Sequence, residues 1–166
     1  MRLRYGIFAA LPLIVASTVG EPNEGSRSLS SADPARGQVQ DSLRVELIVP
    51  DRVRAGETVR FTLQVQNVST RTFDLYLRGR ETTFDVQVSN ASGALLWQRL
   101  AAAVIPAIVH IRPLAPRERF ELTADWDQRD DQGKPVGPAE YKARGFLLAE
   151  GAPLATERKT LMIVAR

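Results

Sequence analysis

The sequence predicts an all-β protein, an antiparallel β-sandwich of about eight strands. Three observations carry this. From residue 42 onward apolar residues recur at every second position, the period of a strand with one face in a core. The alternating runs are short, set roughly 10–15 residues apart and parted by turn residues. No segment after residue 42 sustains the period of a helix. A closed barrel is the other architecture such a pattern allows.

The elements follow in order. Val45, Leu47 and Val49 alternate with Arg44, Glu46 and Ile48, and Pro50 ends the run. Residues 50–57 read as a connection, with Gly56 free to take a positive φ. Val59, Phe61, Leu63 and Val65 alternate with Arg60, Thr62, Gln64 and Gln66, the clearest half-buried strand of the chain. Asn67 closes it, where its amide can bond the turning backbone. Phe73, Leu75 and Leu77 mark the next strand, and Phe84, Val86 and Val88 another. Residues 89–93 form a hairpin-type turn before Leu95, Leu96 and Trp97. Phe120, Leu122, Ala124 and Trp126 alternate with Glu121, Thr123 and Asp125. Tyr141, Ala143 and Gly145 share one parity, with Phe146 and Leu148 on the other. Leu161, Ile163 and Ala165 close the series, and no internal repeat is visible.

Two segments precede this domain of residues 42–166. Residues 1–20 carry Arg2 and Arg4, then an apolar run of about 13 residues, then the small residues Ser17 and Gly20. That is the pattern of an export leader, too short for the roughly 20 residues of a membrane span. Cleavage is expected after Ser17 or Gly20. Residues 21–41 are rich in Ser, Pro and Gly and too poor in apolar residues to offset the entropy of ordering, so a flexible linker is expected there.

Composition narrows the chemistry. There is no cysteine and one histidine. Disulfides, thiolate nucleophiles and Cys-type zinc sites are excluded, and a His-based metal site lacks ligands. Export without cysteine points to a bacterial extracytoplasmic protein held together by its core, because small secreted domains elsewhere lean on disulfides. In that setting the sequons at Asn67 and Asn90 read as turn residues. The charge is +3, from 22 basic and 19 acidic residues. The basic residues are dispersed, which argues against a nucleic-acid surface.

Two segments break the strand pattern. Residues 100–111 are apolar apart from His110, and Pro106 bars them from a sheet interior. They read either as an edge strand or loop packed across the end of the sandwich, or as an exposed strip that grips a partner. Residues 125–136 hold Asp125, Asp127, Asp130 and Asp131 with Gly133. An EF-hand loop started at Asp127 would need Glu at its twelfth position and finds Pro138. The segment reads as a turn in which Asp side chains cap backbone N–H groups and Gly133 supplies a left-handed residue.

Taken in order, Phe84-Asp85-Val86-Gln87-Val88, Ser92-Gly93, Leu96-Trp97, Leu114-Ala115-Pro116, Phe120-Glu121-Leu122, Trp126-Asp127, Asp131-Gln132-Gly133-Lys134-Pro135-Val136 and Tyr141 resemble the BsuPI-type domain, the bacterial intracellular proteinase inhibitor family. The resemblance covers about residues 44–150, with Val65 to Ser69 matching the family's early strand that ends in Asn. Arg117 and Glu140 stand where the family has glycine, so both turns are expected to use other dihedrals. The leader removes the word "intracellular" from the comparison. The Trp-Asp hairpin also occurs in immunoglobulin-like domains such as that of flagellar hook-capping proteins. The resemblance implies an immunoglobulin-like sandwich and a proteinase-binding role.

An enzyme would have to work with carboxylates alone, and the four aspartates share one polar hairpin without a sign of a cleft. The expectation is a non-catalytic protein-binding domain without cofactor or metal, whose partner is a protease or another envelope protein. Candidate partner-binding residues are Val104, Ile105, Pro106, Ile108 and His110 in the apolar strip, then Asp127, Asp130, Asp131 and Gly133 in the hairpin.

Overall fold

The computed structural model describes residues 42–80 and 83–166, and the leader and linker read at residues 1–20 and 21–41 lie outside the described residues. Every element from residue 43 on is a strand: β1 (Leu43–Ile48), β2 (Arg52–Arg54), β3 (Val59–Asn67), β4 (Phe73–Arg78), β5 (Phe84–Asn90), β6 (Leu95–Gln98), β7 (Val109–Leu114), β8 (Arg119–Trp126), β9 (Ala139–Leu147), β10 (Leu154–Ala155) and β11 (Lys159–Val164). The fold is all-β, as the period of two requires.

Among the described residues the strands form three sheets rather than one closed barrel. The first has the order β1-β3-β8, all antiparallel, with Leu63 registered between Leu47 and Leu122. The second runs β2-β11-β9-β5-β6, with β10 beside β9. Here β2 pairs parallel to β11, while β9 pairs antiparallel to both β11 and β5. The first edge of the domain is thus split, with β1 in one sheet and β2 in the other. This strand order makes the domain an immunoglobulin-like sandwich. A second mark of that fold is the Tyr141 hydroxyl, which donates back to the carbonyl of Gly137 at 2.7 Å, at the start of β9.

The core lies between the two larger sheets. Val59, Phe61, Leu63 and Val65 of β3 face Val86, Val88, Ala143, Leu147, Leu161 and Ile163, all buried. Full burial of such a side chain contributes about 1.5–3 kcal/mol. The sheets approach closely at Gly145, where an added Cβ would stand 2.6 Å from a Leu63 methyl and 3.3 Å from one of Leu47. One end of the core is aromatic. Phe61, Trp97 and Trp126 stack at centroid distances of 5.8–6.4 Å, and Tyr141 meets Trp126 edge-on at 6.2 Å.

The third sheet is the two-stranded ribbon of β4 and β7. It sits at the opposite end, where β3 and β9 finish. Leu148 accepts from Arg78 N–H, and Glu150 N–H donates to Tyr76. The buried Asn67 amide donates to the carbonyls of Arg71, Leu114 and Ala115 at 2.8–3.1 Å.

Two expectations need correction, whereas residues 100–111 end in β7, the edge strand that one of their two readings offered. Residues 50–57 are more than a connection, because β2 lies inside them and pairs with β11. Arg117 holds a φ of 63°, the left-handed value a glycine would take, so its turn keeps that dihedral after all. Pro116 and Arg117 occupy the two central positions, and Glu118 N–H donates to the Ala115 carbonyl at 3.0 Å.

Candidate partner-binding surface

The ribbon buries one face. In β4, Leu75 and Leu77 point into the core, and Leu114 of β7 joins them. The register sets Tyr76 opposite Ile111 and Arg78 opposite Val109 on the other face. That face is open, with Ile111 55% exposed. The loop that leads into β7 is more open still. Val104 is 90% and Ile108 64% exposed, and Ile105 stands beside them. Nine large apolar side chains stand out as exposed among the described residues, and six of them are here: Tyr76, Val104, Ile105, Ile108, Val109 and Ile111. Scattered exposed apolar residues are ordinary, whereas here six are concentrated on one ribbon and the loop that leads into it.

The loop is fixed at both ends. At its start, Arg99 N–H donates to Val86 and Leu100 N–H to the Asp85 carboxylate, at 2.9 and 3.1 Å. Asp85 is itself buried and also accepts from the Val86 N–H and the Gln98 amide. At the loop's end, Gly79 N–H donates to Ile108 at 2.7 Å. Ile105, Pro106 and Ala107 form one wall of an open groove of about 440 Å³, and Leu148 to Gly151 form the other. Residues 101–109 are exposed and residues 109–111 lie in the edge strand β7, so the structure joins the exposure of one reading of residues 100–111 to the edge strand of the other. Asp85 escaped sequence reasoning, and the only signal was an acidic residue within an apolar strand.

His110 stands apart from the strip. It is half-buried and registered opposite the buried Leu77, and its Nδ1 is enclosed without a hydrogen-bond partner among the described residues. Arg112, also on β7, covers the Phe120 ring at 4.1 Å and lies 3.8 Å from Glu118.

The aspartates of residues 125–136 are engaged within their own hairpin and with adjoining strands. Asp130 accepts from Gln132 and Lys134 N–H at 3.0 and 2.8 Å, and Asp131 from Gln98 N–H at 3.0 Å. Asp127 lies 3.5 Å from Arg129. Gly133 has a φ of 79° and supplies the left-handed residue of the turn. Arg60 binds Asp125 through two hydrogen bonds, at 2.8 and 2.9 Å, and holds that carboxyl below its usual range. Among the described residues no cluster of three or more His, Asp or Glu is arranged to hold a metal.

The two candidate regions do not meet. The hairpin flanks Tyr141 near the start of β9, and the apolar strip flanks Leu148 just past its end. Seven residues of extended chain, roughly 23 Å, separate Tyr141 from Leu148.

No family model and no curated protein matches the chain. Solved structures similar to it include the CARDB domain of the PF1109 protein from Pyrococcus furiosus, 17% identical, with 74% of this chain and 91% of that chain covered and a TM-score of 0.39. A β-glucosidase from Erythrobacter marinus is 14% identical with a TM-score of 0.42, and the match covers 74% of this chain and 15% of the enzyme. The alkylpurine DNA glycosylase AlkC of Pseudomonas fluorescens is 13% identical over 74% of this chain and 30% of its own, also at 0.42.

Proposed function

We propose that this chain is a non-catalytic protein-binding domain that holds its partner with the loop of residues 104–108, and that the partner is a protease. One observation carries the reading: the concentration of exposed apolar side chains on a loop tied down at both ends. A loop already fixed loses little entropy on docking, which is the physical requirement for occupying a cleft tightly. Val104 is the natural anchor, since it protrudes furthest. The resemblance to BsuPI-type inhibitors directs the choice of partner toward proteases, and the leader read at residues 1–20 directs it toward the bacterial envelope or exterior. The hairpin of residues 127–135 is the weaker candidate, because Asp130 and Asp131 spend acceptors on its own and neighbouring backbone.

The test is a titration of envelope and extracellular proteases with the chain. Stoichiometric loss of activity is expected for at least one protease, and Val104→Asp is expected to weaken it about tenfold or more. Full protease activity in the presence of excess chain would sink the reading. The immunoglobulin-like strand order favours a second one, an envelope assembly module without inhibitory action. That reading gains if a non-protease complex is recovered by the chain and lost with Val104→Asp.

A further inference from the structure

We infer that the free edge of β7 is where two copies of this chain pair. The phase of the β4–β7 ladder is set by the bond from Gly79 N–H to Ile108, which turns the backbone of His110 and Arg112 toward β4. The N–H and C=O groups of Val109 and Ile111, with the C=O of Pro113, therefore point away from β4. Among the described residues nothing pairs with that side, and β7 is the edge of its sheet. Natural edges are usually blunted by Lys, a bulge or proline along the strand. Here Pro113 near one end and Arg112, whose side chain turns over Phe120, are the only such devices, and the other outward groups belong to β-branched apolar residues suited to strand pairing.

The edge is complementary to itself. A two-fold axis at Ile111 sets that residue against Ile111 of the second copy, so the pair exchanges two hydrogen bonds. Val109 N–H then meets the Pro113 carbonyl of the other copy, twice. The N–H that proline lacks leaves two bonds of that register unmade, one for each copy. On the exposed face, Tyr76 and Ile111 continue into Ile111 and Tyr76 of the second copy. This inference does not rest on the proposed protease reading, since the loop of residues 104–108 stays outside the pairing and each copy of a dimer would present it.

The test is sedimentation equilibrium of the full chain with no partner present, for the wild type, Val104→Asp, Ile111→Lys, Ile111→Glu and an equimolar mixture of the last two. The wild type and Val104→Asp are expected to form dimers. Each Ile111 variant is expected to weaken the dimer about tenfold or more, because the register sets like charges directly opposite. The mixture is expected to regain association, because Lys then faces Glu. Circular dichroism confirms that the variants fold, as the exposed position allows. A wild type that stays monomeric up to about 1 mM overturns the inference. So does association that both variants leave intact, or a mixture that fails to recover. Protection of the Val109 and Ile111 amides from exchange only when a different protein is added assigns the edge to that protein, and likewise overturns it.

Discussion

Arg117 is a bulky residue in a backbone conformation that suits glycine. Its φ of 63° costs an L-residue about 1 kcal/mol or more, and the turn it occupies docks on Asn67 through the bond from Arg117 N–H. Its side chain is exposed and makes no ion pair among the described residues. Arg117→Gly is therefore expected to raise stability, by up to about 1 kcal/mol, in urea denaturation. An unchanged or lower midpoint would show that the strain is relieved elsewhere. Tyr141 gives a pH signature. Burial pushes its phenol above the usual value of 10, so the neutral form is favoured in the fold. That contribution is complete below pH 10 and is lost as pH rises through the folded value. Tyr141→Phe is expected to cost about 1 kcal/mol near neutrality, through the lost bond to Gly137, and to flatten the loss of stability above about pH 10. Parallel alkaline profiles for the two proteins would contradict this.

At the scale of elements, β9 depends on the absence of a side chain. Gly145 lies where β9 crosses Leu63 and Leu47, and its N–H is held by the Thr156 hydroxyl at 3.0 Å. Gly145→Ala is expected to lower stability by about 1–3 kcal/mol, because the methyl must displace a packed leucine. A thermal midpoint equal to the wild type would show that Leu63 has room to turn. The long strands were legible in the sequence because burial alternates along them, as in β3 and β9. β2 was hidden: three residues are too few to show a period, and its partner β11 lies about a hundred residues away. β7 was half-hidden, since the apolar run before it blurs where it begins and its own alternation sets Val109, Ile111 and Pro113 on the outward face, with His110 and Arg112 on the other. The aspartate hairpin was read correctly as a turn, yet Gln128 beside it was not foreseen. That side chain is buried with a φ of 59° and ties Gly56 N–H to the carbonyls of Arg54 and Glu57. Such a link joins residues some seventy positions apart, and local pattern does not reveal it.

At the scale of the molecule, the domain closes an immunoglobulin-like core without disulfides and leaves one apolar surface open. The stacked Phe61, Trp97 and Trp126 fill one end of the core. At the other end the β4–β7 ribbon covers the core with Leu75, Leu77 and Leu114 and turns Tyr76, Val109 and Ile111 outward. The sequence announced that apolar strip but left it open between a packed and an exposed state. For the part within β7 tertiary register decided it, by setting His110, Arg112 and Leu114 on the side of Leu75 and Leu77 and turning Val109 and Ile111 outward. The expected function follows from that surface. Protease activity measured against increasing amounts of wild-type chain and of Val104→Asp bears on it most directly. The expected outcome is stoichiometric inhibition of at least one envelope or extracellular protease by the wild type and about tenfold weaker inhibition by the variant. Equal inhibition by both proteins, or none by either at stoichiometric excess, contradicts it.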